Sequence, residues 1–135
     1  GAVADGVLEG GGQVIGVIPS WMVEKEAAHK DVQRMIEVET MLERKTRMAE
    51  LSDAFLVLPG GLGTLDELFE MGTWSQLHLH ERPKPIGILN VAGYYDHLKL
   101  WLNRAVEDGY VYSDTPGLPG FGSSVAALLD RLAPA

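Results

Sequence analysis

The sequence has 135 residues, a formal net charge of −8 and no cysteine, and this length is enough for one domain with a hydrophobic core. The acidic balance argues against general nucleic-acid binding, which needs a basic surface, and no apolar run approaches the roughly 20 residues that span a bilayer. Without cysteine the chain has no disulfide framework, thiol nucleophile or thiolate metal site, which agrees with a reducing, cytoplasmic environment.

Helical and strand patterns alternate along the chain. Helices are predicted at residues 2–9, 40–52, 64–80, 94–108 and 124–132, and strands at residues 13–18, 32–38, 54–58 and 86–89. Residues 20–30 are expected to form an exposed loop or a short helix, and residues 110–122 a series of turns. This alternation predicts an α/β fold, a Rossmann-like open parallel sheet with helices on both faces. We expect one domain over residues 1–135. Because the chain starts inside a helical pattern and without methionine, we expect that domain to be incomplete at its N-terminus.

A glycine-rich stretch follows the third predicted strand. Pro59 ends the strand because proline has no N–H to donate to a ladder. Gly60, Gly61 and Gly63 should then allow a tight turn with positive φ. Thr64 is predicted to begin the next helix. A strand, a glycine turn and a helix N-terminus make an anion site, since free N–H groups and the helix dipole point at the same place. A phosphate above residues 60–64 is therefore the first hypothesis.

Two plainer interpretations of this stretch stay open at this point. A glycine-rich turn after a strand is common without any ligand. In addition, Thr64-Leu65-Asp66-Glu67 fits the capping box, in which Thr64 caps the helix and Glu67 reaches back to the N–H of Thr64.

The helix before the third strand carries two cations on one face. Arg44 and Lys45 share that face with Met41 and Met48, because the four residues lie at i, i+3, i+4 and i+7. Both cations could simply extend past the core edge to water. Alternatively, since ligands of open α/β sheets bind at the carboxyl ends of the strands, both could face a phosphate over the glycine turn.

Taken together, these motifs resemble the LOG family, the cytokinin riboside 5′-monophosphate phosphoribohydrolases often labelled "lysine decarboxylase-like". The resemblance rests on Glu43-Arg44-Lys45-x-x-Met48 and on Pro59-Gly60-Gly61-x-Gly63-Thr64-x-x-Glu67. It continues through residues 28–30, 73–77, 84–90 and 93–95 and covers most of residues 1–112. Members of the family usually begin with a strand, a turn and a second strand that are not in this sequence. We therefore expect N-terminal strands of the sheet, and part of the nucleotide pocket, to be missing from it.

The resemblance implies a site and a reaction. Arg44 and Glu67 correspond to the family's catalytic pair, and Gly60, Gly61, Gly63 and Thr64 to its nucleotide-binding loop, with Lys45 beside the arginine. The implied substrate is a purine nucleoside 5′-monophosphate, split into free base and ribose 5-phosphate without cofactor or metal. Breaking a ribosyl C–N bond builds oxocarbenium-like charge on the sugar, which a carboxylate such as Glu67 can stabilise. Arg44 could hold the phosphate or polarise the leaving base.

Other functions compete with this hypothesis. The label "lysine decarboxylase" would imply a pyridoxal-phosphate enzyme with a Schiff-base lysine, but nothing marks one among the five lysines. The same fold could serve as a binding module for a phosphorylated cofactor, like a molybdopterin carrier, which would not turn over. The four histidines, His29, His78, His80 and His97, lack metal-ligand spacing, and surface polar roles are expected for them. Apolar residues on more than one side of the helix from Thr64, together with the resemblance, predict a homodimer at least.

Overall fold

A computed structural model of the chain describes residues 1–23, 32 and 34–133. The chain divides into two compact units, Gly1–Leu51 and Ser52–Ala135. The single-domain organisation expected from the sequence stays a prediction. None of the helices in the described ranges has the length and hydropathy that a bilayer crossing requires. Residues 28–30, which contributed to the resemblance and include His29, lie outside the described residues.

The first unit is a pair of parallel strands with helices. Its elements are α1 (Ala2–Glu9), β1 (Ile15–Pro19), α2 (Ser20–Val23), β2 (Arg34–Val38) and α3 (Met41–Leu51). The strands pair in register from Ile15 opposite Arg34 to Pro19 opposite Val38, and α3 packs against both strands. The predicted bounds of α1 are confirmed, and those of α3 are correct to within one residue at each end.

The second unit contains a three-stranded parallel sheet in the order β3-β4-β5. Its elements are β3 (Phe55–Val57), α4 (Leu62–Gln76), β4 (Ile86–Leu89), α5 (Asp96–Glu107), β5 (Gly120–Gly122) and α6 (Val125–Leu132). All four residues of β4 are buried, because this central strand has a neighbour on each side and α6 packs on it. Parallel strands and flanking helices confirm the predicted α/β class, although the strands form two sheets.

Helices α4 and α5 each begin two residues from the predicted start, at Leu62 and Asp96, and three further details of the second unit differ from the sequence predictions. Strand β5 lies in residues 110–122, where only turns were predicted. The prediction missed it because Gly120-Phe121-Gly122 has no β-branched run, and the strand forms through its pairing with β4. Helix α4 ends at Gln76 instead of about residue 80. His78 adopts φ 54°, and the amides of His78 and Leu79 bond back to Ser75 and Trp74, which is a Schellman termination. Trp101, predicted to face inward on α5, is 55% exposed.

Candidate functional site

The glycine turn joins the carboxyl end of β3 to the start of α4. Gly61 is the N-cap, with φ −105° and ψ −147°, and Leu62, Gly63 and Thr64 form the first turn of the helix. The N–H groups of this first turn have no partner within the helix, and they lie at the positive end of its dipole. The structure thus presents backbone donors at residues 62–64, the arrangement that an anion site needs.

The structure gives a different reason for glycine in this turn than the positive φ that was expected. Gly60, Gly61 and Gly63 do not have positive φ, so the predicted left-handed turn is wrong. At Gly60 the constraint is close approach. A Cβ there would lie 2.9 Å from Thr64 Cβ and would also collide with Thr64 Oγ1. At Gly61 and Gly63 an added Cβ would meet none of the described residues within 4 Å, so the backbone surface there is open.

The capping-box interpretation of residues 64–67 is excluded. A capping box needs Thr64 at the N-cap, whereas the N-cap is Gly61 and makes no side-chain capping bond. The same Thr-x-x-Glu pattern does form a capping box at the start of α3, where Glu43 N–H donates to Thr40 Oγ1 at 3.1 Å and Thr40 N–H donates to Glu43 Oε2 at 3.3 Å.

Glu67 therefore does not cap α4. It lies within α4, three residues after Thr64 and on the same side of the helix. Its side chain is half-buried, its neighbour Leu68 is buried in the core, and Asp66 is exposed. Glu67 thus lies about one helical turn beyond the backbone donors of residues 62–64.

Two tyrosines from the β4–α5 loop hold the glycine turn, and the sequence prediction gave them no role. Gly60 N–H donates to Tyr95 Oη at 3.1 Å, and the same hydroxyl donates to the carbonyl of Leu58 at 2.8 Å. Tyr94 Oη donates to the carbonyl of Gly60 at 2.8 Å. Since β3 and β4 are parallel neighbours, the loops after them meet at one sheet edge. Gly60 N–H is thus engaged by Tyr95, and the donors open to a ligand begin beyond it.

The loop that carries the tyrosines is itself fixed by polar contacts. Asn90 Oδ1 accepts from Tyr95 N–H at 2.8 Å, and Asn90 Nδ2 donates to the carboxylate of Asp96 at 2.7 Å. Gly93 has φ +73°, and a Cβ there would lie 2.6 Å from Asp96 Oδ2. The positive φ therefore favours glycine here, and an added Cβ would also push the Asp96 carboxylate aside.

Tyr95 is 4% exposed. Burial raises the pKa of its hydroxyl, and the bond from Gly60 N–H opposes this rise only in part. The phenol therefore stays protonated and keeps its bond to the Leu58 carbonyl at neutral and moderately alkaline pH.

Arg44 and Lys45 lie on α3 in the first unit, and both are half-buried. The guanidinium Nε of Arg44 donates to the carbonyl of Val17 in β1 at 3.2 Å. This contact directs the arginine toward its own sheet instead of straight into solvent. The predicted countercharge to a phosphate on the glycine turn, which belongs to the second unit, stays a prediction.

Among the described residues, no group of three His, Asp or Glu side chains is placed to hold a metal ion. Surface polar roles were expected for all the histidines, and His80 is half-buried with contacts to two aromatic rings. Its ring lies 6.0 Å from the ring of Phe55 and 5.9 Å from that of Trp74, between centroids, and its Nε2 is 3.4 Å from the carbonyl of Met71. Burial, with a further contribution from Lys84, lowers the pKa of His80. His80 is thus part of the packing at the end of α4.

The parallel strands, and the glycine turn opening a helix at the end of one of them, define an α/β protein with a Rossmann-like fold. A protein-family model described as "Possible lysine decarboxylase" matches residues 1–132, and the chain belongs to that family. Its resemblance to the LOG family is confirmed by the relatives that it matches.

Those relatives carry a more specific name. A "Probable cytokinin riboside 5'-monophosphate phosphoribohydrolase" of Oryza sativa subsp. japonica is 50% identical over 111 residues, which cover 82% of this chain and 48% of the relative. A second protein of that name from the same organism is 42% identical over 132 residues, 98% of this chain and 62% of the relative. A "Cytokinin riboside 5'-monophosphate phosphoribohydrolase" of Arabidopsis thaliana is 46% identical over 111 residues, 82% of this chain and 48% of the relative. The chain therefore spans about half the length of most of the curated relatives it matches, from 48% to 62%.

Proposed function

We propose that this chain forms the phosphate-binding and catalytic part of a hydrolase that splits purine riboside 5′-monophosphates into free base and ribose 5-phosphate. The proposal rests mainly on the glycine turn at the start of α4. The backbone is open at Gly61 and Gly63, and Glu67 lies one helical turn further on. The names of its relatives point to the same reaction.

In the proposed reaction the 5′-phosphate accepts hydrogen bonds from the N–H groups of residues 62–64. Gly61 and Gly63 let the phosphate approach, and Thr64 adds a hydroxyl beside its N–H. Gly60 contributes by admitting the side chain of Thr64, since its own N–H is engaged by Tyr95. Phosphate binding at this point fixes the sugar, so that binding energy far from the reacting bond helps to position its C1′ carbon.

Glu67 then acts on the ribose. As the C1′–N bond breaks, positive charge develops on the ring, and a carboxylate close to it stabilises that charge. Water adds its hydroxide to C1′, and its proton leaves with the departing base, so that the products are the base and ribose 5-phosphate. We assign Arg44 to the leaving base or the phosphate and Lys45 to the phosphate, as positive groups that this acidic chain must supply to bind an anion.

Product analysis tests this function directly. The purified protein is incubated with AMP and, separately, with isopentenyladenosine 5′-monophosphate, and free base and ribose 5-phosphate are measured by chromatography. We expect release from at least one nucleotide, and the ratio of the two rates reports the base preference. If neither nucleotide is cleaved although ribose 5-phosphate binds, the alternative of a non-catalytic phosphorylated-cofactor carrier is favoured.

The family description raises a second candidate, a pyridoxal-phosphate-dependent lysine decarboxylase. Among the lysines in the described ranges, Lys84 is buried at 7% exposure, as a Schiff-base lysine would be. Lys84 directly precedes the proline before β4, however, so it lies at the amino end of the strand, whereas the glycine turn lies at the carboxyl end of the neighbouring β3. If the phosphate of pyridoxal phosphate bound to the glycine turn, Lys84 would therefore lie at the opposite edge of the sheet from the cofactor. An absorption band of bound cofactor in the near-ultraviolet or visible spectrum would contradict this reasoning.

We further propose that the protein acts as a homodimer or larger homo-oligomer in the cytoplasm. Large apolar side chains on and after α4 are exposed, with Phe69 at 39%, Leu77 at 60% and Leu79 at 63%. Covering such a surface with a second copy would remove it from water. Light scattering coupled to size exclusion should return at least twice the 14.7 kDa mass of the chain, and a stable monomer would contradict the proposal. Cell fractionation tests the location.

A further inference from the structure

We propose that Tyr94 and Tyr95 are positioning residues of the phosphate site, which hold the backbone of the glycine turn in the conformation that binds the 5′-phosphate. The inference rests on the proposed function, because it assigns a role at the same site. The two tyrosines belong to the β4–α5 loop, 34 and 35 residues after Gly60, and they bond to the turn through three hydrogen bonds.

The bonding pattern is specific to the turn. A single hydroxyl, that of Tyr95, accepts from Gly60 N–H and donates to Leu58 C=O, and so it bridges the two residues on either side of Pro59. Leu58 and Gly60 lie outside both β3 and α4. The Leu58 carbonyl and the Gly60 N–H are therefore not bonded as part of a strand ladder or a helix. The tyrosine supplies bonds that the irregular backbone would otherwise have to find in water.

Packing alone does not account for the pair. Phenylalanine would fill the space of the Tyr95 ring equally well, but it could not bridge the turn. Tyr94 is 57% exposed, so little burial is gained from its ring, which packs edge-on against Tyr95 with centroids 4.9 Å apart. Both hydroxyls nevertheless end on the same residue, one on the N–H of Gly60 and one on its carbonyl. Gly60 is thereby fixed at both of its polar groups.

Fixing Gly60 also fixes the start of α4. Gly61 is the N-cap of that helix and the next residue in the chain, and the side chain of Thr64 packs against Gly60. The N–H groups that would bind the phosphate therefore keep their direction only while the turn keeps its shape. A displacement of about 1 Å at such donors is enough to lose much of their binding energy.

The experiment compares Tyr95→Phe and Tyr94→Phe with wild type and with Tyr112→Phe, a control at a tyrosine that is 70% exposed and lies after α5. Calorimetry measures the Kd of ribose 5-phosphate, initial rates give kcat and KM for the nucleotide that is cleaved, and thermal unfolding gives Tm. For Tyr95→Phe we expect Kd and KM to rise about tenfold, as loss of roughly 1.4 kcal/mol of binding implies, while kcat changes less than about threefold. Tyr94→Phe should give a smaller rise in the same direction, and Tyr112→Phe should match wild type.

The outcomes separate a positioning role from a structural one. If Tyr95→Phe and Tyr94→Phe lower Tm but leave Kd within twofold of wild type, the tyrosines only stabilise the fold and the proposal is wrong. Should Tyr95→Phe fail to fold, Tyr94→Phe decides, since its exposed ring can lose a hydroxyl without opening the core. If wild type binds ribose 5-phosphate but cleaves no nucleotide, the proposed function fails, and the Kd values still decide on the tyrosines. A wild-type protein that binds no ribose 5-phosphate would overturn both.

Discussion

Alanine substitutions at Gly60 and Gly63 should move stability in opposite directions. At Gly60 the new Cβ would lie 2.9 Å from Thr64 Cβ and 3.2 Å from Thr64 Cγ2, closer than carbon atoms pack. Thr64 is β-branched and sits in the first turn of α4, so it can yield only if the helix start moves. Overpacking of this kind costs about 1–3 kcal/mol, or roughly 3–10 °C in Tm for a chain of this size.

Gly63→Ala is the matched control for that substitution. Gly63 is already helical, and an added Cβ would meet none of the described residues within 4 Å. Replacing a helical glycine by alanine should therefore stabilise the protein by about 0.5–1 kcal/mol. The same methyl group tilts toward the N-terminal end of the helix, where the phosphate is proposed to bind. We expect affinity for ribose 5-phosphate to fall about tenfold or more while Tm rises.

Thermal unfolding and calorimetric titration of the two variants test this reasoning together. A Gly60→Ala protein as stable as wild type would show that contact with Thr64 is not what requires glycine. A Gly63→Ala protein that is more stable and also binds ribose 5-phosphate as tightly as wild type would show that no phosphate sits over the first turn of α4.

Two further predictions concern stability alone. Thr40→Ala should lower the free energy of unfolding by about 1 kcal/mol, because it removes the helix cap to which Glu43 N–H donates. Thr64→Ala should lower it by no more than a few tenths of a kcal/mol, since Thr64 is not a cap. Equal losses for the two variants in chemical denaturation would contradict the assignment of the two motifs. The lowered pKa of His80 means that the folded state favours the neutral ring, so stability should be fully present above the ordinary value of 6.5 and should decline as the pH falls below it. His80→Gln should flatten this decline in Tm between pH 7.5 and 5, and an unchanged slope would show that His80 is not its source.

The sequence predicted those elements whose signals are local. Helix α1 ends at a run of glycines, and β4 is a short apolar run between proline and asparagine, so both are visible in the residues themselves. Strand β5 is not visible in this way, because two glycines around Phe121 become a strand only by pairing with β4. The early end of α4 is equally hidden, since His78 takes the left-handed conformation usually given to glycine.

In the candidate site, too, some features have a local sequence signal and others depend on tertiary contacts. The glycine turn is visible in the residues themselves, whereas a role for Glu67 beyond capping was implied only by the family resemblance. Two identical Thr-x-x-Glu patterns could not be told apart, however, because the position of the N-cap depends on where the preceding strand and turn leave the chain. The contacts of Tyr94 and Tyr95 with Gly60 join residues 34 and 35 positions apart. Such contacts follow from the parallel pairing of β3 and β4, which no local pattern specifies.

Glu67 is proposed to stabilise the charge that forms on the ribose. Glu67→Gln keeps the shape and polarity of the side chain but removes its charge. Its rate of base release should be compared with wild type at saturating nucleoside 5′-monophosphate, with the Kd of ribose 5-phosphate measured in parallel. We expect kcat to fall about 10²-fold or more with the Kd unchanged within about twofold, whereas a glutamine variant that releases the base at the wild-type rate would contradict this role of Glu67.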